Sequence, residues 1–178
     1  MKRRPKPRTA WAITGSGHYL RECLQLLQHC ADVDLFLSKA AAEVLSMYDI
    51  DIRSMGERIT CFRDTTASAS PVGLFYHGHY DRLVVAPATS NTVAKMVWGI
   101  ADTLVTNIYA QAGKCKIPSI VFACDTEPVM ETEAPGGMVM VYPRQIDLDN
   151  VERLRRFELT RVATSLGELE DALELSDR

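Results

Sequence analysis

No two of the five cysteines in this chain (Cys23, Cys30, Cys61, Cys115 and Cys124) stand at C-x-x-C spacing, and their number is odd. That argues against a disulfide framework, a zinc site or an iron–sulfur centre built by one chain, and no metal is expected. No apolar run approaches the roughly 18 residues needed to cross a bilayer. No signal-peptide core follows the basic start, so a cytoplasmic protein is expected. An excess of one charge is lacking too. The net charge is −3 with 24% charged residues, which gives no field drawing the chain to nucleic acid or to a membrane. There is no internal repeat and no low-complexity linker. With 178 residues, 47% of them hydrophobic, the chain can bury one core, and a single domain is expected over residues 9–178. Residues 1–8 stand apart. Lys2, Arg3, Arg4, Lys6 and Arg8, with Pro5 and Pro7, read as a solvated, disordered basic arm.

What is present is an alternation of two periods. Residues 11–14 and 33–37 are apolar runs of strand length, as are "RLVVA" at 82–86 and "SIVFA" at 119–123. Between them apolar residues recur at helical steps: Leu20, Cys23, Leu24 and Leu27 in one stretch, the Ala-rich residues 39–47 in another. Residues 90–113 predict two helices with a break at Gly99. Residues 125–145, with three prolines and the Gly136-Gly137 pair, predict a loop or hairpin over a site. The end predicts a short strand and an amphipathic helix. Strands alternating with helices predict an α/β fold: a single-domain, doubly wound parallel sheet, a Rossmann-like or flavodoxin-like three-layer sandwich.

In such folds ligands bind beyond the carboxyl ends of the strands. After the first strand stand Gly15, Ser16 and Gly17, where exposed amides at a helix start favour an anion such as phosphate. The third glycine of a dinucleotide fingerprint is missing, because Leu20 takes its place. The second strand ends at Ser38, not at an acidic residue, which disfavours NAD. No G-x-x-x-x-G-K-[ST] loop occurs, so a nucleotide triphosphatase is not expected. After "RLVVA" come Pro87, Ala88, Thr89, Ser90, Asn91 and Thr92. One hydroxyl there would suffice to cap a helix; the row has more than a cap requires.

"VVAPATSNTVAKMVWGIADTLVTN" resembles the Pro-Ala-Ser-Ala-Asn-Thr motif and its following segment in the flavin-containing cysteine decarboxylase superfamily. "ITGSG" and "LFLSKAA" resemble that superfamily's first and second FMN loops. The resemblance implies that Gly15, Ser16, Gly17 and Ser38 hold FMN, with Thr89, Ser90, Asn91 and Thr92 lining it from the other side and Cys124 near the ring edge. Decarboxylases of the group carry a histidine eight residues before an aspartate at the strand leading into the motif. Eight residues before Asp81 stands Gly73, so that base is missing. The substrate-clamp methionine motif is not recognisable either.

Together with "VYPRQIDLDNVERL", the motif is similar to archaeal-type small flavoproteins and most of all to the FMN-dependent dihydromethanopterin reductases. That similarity implies hydride transfer from reduced FMN to a dihydropterin, giving tetrahydromethanopterin, with NADPH or a ferredoxin-like protein as electron donor. It implies a homo-oligomer, trimer-based or a larger shell, with residues 126–140 and the Trp98 region at the interface. His77, His79 and Tyr80 are candidate proton donors; Tyr76 and Tyr142 are candidate pterin-stacking residues, and Arg144 a partner for an acidic tail. An FMN electron carrier, and a cysteine decarboxylase or prenyltransferase of the same fold, are the alternatives.

Overall fold

The computed structural model describes residues 8–55, 59–66 and 69–176; residues 1–7 of the basic arm lie outside them. Six strands form one parallel sheet in the order β3-β2-β1-β4-β5-β8. They are β1 (Arg8–Ile13), β2 (Val33–Leu37), β3 (Thr60–Arg63), β4 (Tyr80–Ala88), β5 (Ser119–Ala123) and β8 (Thr160–Ala163). An antiparallel hairpin, β6 (Met130–Ala134) and β7 (Gly137–Val141), stands apart from the sheet. The helices are α1 (Leu20–His29), α2 (Lys39–Met47), α3 (Gly73–Tyr76), α4 (Ser90–Val97), α5 (Leu104–Lys114), α6 (Gln145–Leu154) and α7 (Leu166–Ser176).

Alternate residues of each central strand face opposite layers. Trp11, Ile13, Leu35, Leu37, Val84 and Ala86 pack with α1, α2 and α7, while Ala10, Ala12, Phe36, Leu83 and Val85 pack with α3, α4, α5 and α6. Buried on both faces, these strands read as unbroken apolar runs, which made them visible in the sequence. Trp11 is fully buried, and its indole N–H donates to the Ala86 carbonyl at 2.9 Å. Each large apolar side chain buried in this way contributes roughly 1.5–3 kcal/mol.

The short α3 went unmarked in the sequence, and two other elements did so for physical reasons. β3 is an edge strand and only half-buried, so it carries no apolar run. α6 turns Asp147 and Asn150 inward beside Val151 and Leu154, which blurs its apolar period. β4 also runs further than its apolar stretch, through a cis Ala86–Pro87 bond to Ala88. Arg8, counted with the arm in the sequence reading, is the first residue of β1. Its guanidinium reaches Asp34 Oδ1 at 2.7 Å and the Val33 carbonyl at 2.8 Å, and the Tyr80 hydroxyl donates to Asp34 Oδ2 at 3.0 Å. Among the described residues no helix is long and apolar enough to cross a membrane.

Candidate functional site

The chain leaves β1 towards one face of the sheet, through α1, and leaves β4 towards the other, through α4, so the strand order reverses between them. A crevice opens at such a point, beyond the carboxyl ends of the strands. Thr14 closes its floor. The buried Thr14 hydroxyl donates to the Pro87 carbonyl at 2.9 Å and accepts from the Thr89 amide at 2.9 Å.

Three helices begin at this crevice, each capped by a hydroxyl. Ser38 Oγ accepts from the Ala41 amide at 3.0 Å at the start of α2. Thr89 Oγ1 accepts from the Thr92 amide at 3.2 Å, at the start of α4, and lies 3.0 Å from Thr92 Oγ1. Thr103 and Thr106 exchange side-chain and backbone bonds at the start of α5. The three N-termini open on a cavity of about 580 Å³. Of the residues singled out in the sequence, Gly15, Ser38, Thr89, Asn91 and Thr92 line it. Lys39, Asp64, Lys95, Asp102 and Thr103 line it as well and were missed. Thr103 had a readable signal, a hydroxyl three residues ahead of another before an apolar run. Lys95 and Asp102 had none, because they meet only when the chain turns at Gly99, whose φ of 68° ends α4. Lys95 Nζ lies 2.8 Å from both Asp102 oxygens, and this hydrogen bonding holds the Asp102 carboxyl below its ordinary range.

The glycines of the first turn serve close approach. A Cβ on Gly15 would lie 2.5 Å from the Ala40 Cβ at the start of α2, and one on Gly17 would meet the Tyr48 hydroxyl. Ser16 accepts from the His18 amide at 3.2 Å and hydrogen-bonds the Cys124 thiol. Burial pushes that thiol up to about 12, so Cys124 is a packed neutral group and not a nucleophile. Ser16, Gly17, Ser90 and Cys124 are not among the cavity's lining residues. The hairpin lies over this turn: Thr132 Oγ1 is 2.9 Å from His18 Nδ1, and the Tyr48 hydroxyl donates to the Glu133 carbonyl at 3.2 Å.

His77, His79 and Tyr80 do not join the cavity. They stand at the amino end of β4, whose nine residues at about 3.3 Å each put them some 26 Å from its carboxyl end. They are near the motif in sequence but far from it in space, because the intervening residues are an extended strand. His77 and His79 are exposed, and Tyr80 belongs to the Arg8–Asp34 network, where burial pushes its phenol well up. Arg144 is held within its own helix start by Asp147, at 3.0 and 2.8 Å. Tyr76 and Tyr142 are exposed.

Hydroxyls, an exposed Asn91 amide, the Lys39 ammonium and three helix N-termini form a donor set suited to a phosphate, with Lys95 neutralising Asp102 beside them, in a cavity of the size that takes a small ligand. The sequence matches the Flavoprotein family model over residues 1–174. It is 38% identical over 173 residues to an uncharacterized protein of Methanocaldococcus jannaschii, covering 92% of each chain. It is 41% identical over 141 residues to the dihydromethanopterin reductase (acceptor) of Methanosarcina mazei, covering 72% of this chain and 59% of that one. Among solved structures it resembles Burkholderia xenovorans DmrB in complex with FMN, described as a cubic protein cage for redox transfer. That likeness has a TM-score of 0.90 and 53% identity, and covers 97% of this chain and 96% of the other. With the family model matched over residues 1–174 and the fold shared across 97% of the chain, this protein belongs to the Flavoprotein family.

Proposed function

We propose that this chain is an FMN-dependent reductase that reduces a dihydropterin of the dihydromethanopterin type. The observation that carries the reading is the convergence of three hydroxyl-capped helix N-termini on one cavity at the reversal of strand order. The α4 start, with Thr89, Asn91 and Thr92, would hold the phosphate of FMN, and Ser38 would approach it from α2. Gly15 would let the backbone come close to the flat ring, and Ser16, Gly17, Ser90 and Cys124 would complete the surround. When bound and reduced, FMN supplies the hydride. The chain's own part is to orient the substrate against it and to exclude water. The relative that binds FMN, and those named for reduction of dihydromethanopterin, support the same assignment.

Electrons arrive from outside the chain, from NADPH or a ferredoxin-like protein. An iron–sulfur donor would belong to another chain, since no C-x-x-C pair is present. The protein assembles with copies of itself, a reading supported by the exposed Met138, Val139 and Met140 of β7, the exposed Trp98 and Ile100, and the cage formed by DmrB.

The test is to purify the protein, record its visible spectrum, reduce the bound flavin anaerobically with dithionite, and add dihydromethanopterin in a stopped-flow cell. Rapid return of the oxidised flavin band is the expected result. A flavin that stays reduced overturns the substrate, and a protein that takes up no FMN overturns the whole reading.

A further inference from the structure

We propose that His18 supplies the proton in this reduction. The inference rests on the flavin and dihydropterin reading above. The chain has four histidines, and three of them stand at the wrong end of the sheet. His29 closes α1, which runs back towards the amino end of β2, and its Nδ1 lies 2.8 Å from the Gln25 carbonyl. His77 and His79 precede β4. His18 alone follows the Gly15-Ser16-Gly17 turn at the carboxyl end of β1.

Its position is fixed from three sides. The His18 amide donates to Ser16 Oγ at 3.2 Å, and Ser16 also meets the thiol of Cys124 just beyond the end of β5. The ring lies 4.1 Å, centroid to centroid, from that of Tyr19, which in turn lies 5.7 Å from Phe122. From the hairpin, Thr132 Oγ1 stands 2.9 Å from Nδ1. When Nδ1–H donates to Thr132, the tautomer is set, and Nε2 is the nitrogen left to gain and lose a proton. Nε2 has no hydrogen-bond partner among the described residues, and the half-buried ring stands just outside the lining of the cavity, three residues beyond Gly15, which lines it. The charged groups around it are Glu22 on α1 and Asp125 after β5, while the hairpin brings Glu131 and Glu133 on either side of Thr132. Burial holds the imidazole below its usual value, and the two carboxylates Asp125 and Glu22 pull it back up.

In the step, the imine carbon of the dihydropterin accepts a hydride from reduced flavin, which carries both electrons. The imine nitrogen accepts the proton from Nε2, the C=N double bond becomes a CH–NH single bond, and the imidazolium becomes imidazole. Solvent returns the proton to His18, and the external donor reduces the flavin again.

The experiment compares FMN-loaded wild type with His18→Gln, Thr132→Val and His79→Gln. The visible spectrum of the bound oxidised flavin is titrated across the acid side of neutrality, and reoxidation of the reduced flavin by dihydromethanopterin is timed in the same buffers. In wild type and His79→Gln the spectrum passes through a single-proton step, and the reoxidation rate falls as pH rises through it. His18→Gln loses the step and slows by about 100-fold or more, with a flat acid-side profile. Thr132→Val retains FMN but moves the step, since His18 keeps its ring and loses its hydrogen bond. A step that survives in His18→Gln, or a wild-type rate and pH profile in that variant, overturns the proposal while leaving the reductase reading intact. A Thr132→Val protein with an unmoved step and wild-type rates overturns it too, should His18→Gln fail to take up flavin. A wild type that holds FMN but is not reoxidised by the dihydropterin removes the substrate and the proton transfer together.

Discussion

Gly15 and Ala40 meet where the turn after β1 crosses the start of α2, and Ala40 is held in the first turn of that helix. Replacing Gly15 by Ala forces a methyl to within 2.5 Å of the Ala40 Cβ. We expect Gly15→Ala to lower stability by about 1–3 kcal/mol in urea unfolding, and the added change Ala40→Gly to recover most of the loss. Asp147 offers a pH-dependent case. Its buried carboxylate accepts from the backbone N–H of Arg144 at 2.9 Å and from both arms of that guanidinium, and the Arg144 hydrogen bonds hold it below the usual carboxylate range. The folded protein therefore takes up this proton later than the unfolded chain does. The stabilisation is complete above the unfolded value of about 3.9 and is lost as pH falls through the lowered folded one. The stability gap between wild type and Asp147→Asn, measured by denaturant unfolding, should close on that acid side and stay constant above it.

The helices around the cavity are set by their first residues. Ser38 caps α2 with one short side-chain bond, so Ser38→Ala should cost about 1 kcal/mol of stability. The same change should weaken FMN binding measured by fluorescence quenching; unchanged affinity would remove Ser38 from the cofactor site. The starts of α2 and α4 were legible in the sequence because a hydroxyl before an apolar period has a local meaning. So were β1, β2, β4 and β5, whose burial on both faces leaves continuous apolar runs. What escaped depended on contacts between distant segments. Lys95 and Asp102 pair only across the Gly99 turn, α6 buries two polar residues, and His18 gains its setting from Thr132, which lies 114 residues further on. The proton-donor candidates stand apart for the opposite reason: His77, His79 and Tyr80 are close to the motif along the chain and a full strand away from the cavity in space.

Across the whole molecule the two ends of the sheet do different work. The amino end carries Arg8, Asp34 and Tyr80, a network whose Asp34 side chain is only 10% exposed. Asp34→Asn should lower stability by about 3 kcal/mol, because Arg8 loses its ionic partner in a shielded place. FMN affinity should not change, since the cavity is at the other end; a matched loss of affinity would show that the ends are coupled. The outer surface carries a second whole-molecule property. Met138 and Met140 are 58% and 52% exposed on a strand with no sheet beside it except its hairpin partner. The double change Met138→Glu, Met140→Glu should reduce the molar mass seen by light scattering and leave the far-ultraviolet circular dichroism unchanged. An unchanged mass would take β7 out of the proposed contact between copies.

Thr14 ties the end of β1 to the Pro87 carbonyl, through both its amide and its hydroxyl, and to the Thr89 amide, so the two walls of the crevice are joined at its floor by one buried residue. Mechanically that makes the crevice a calliper locked at one opening. A ligand too thick for the gap gains nothing from the donors higher up, and a thin planar one meets both jaws without any hinge having to turn. Thickness is then judged before chemistry, and the rivet that sets the gauge is itself part of the wall that does the measuring.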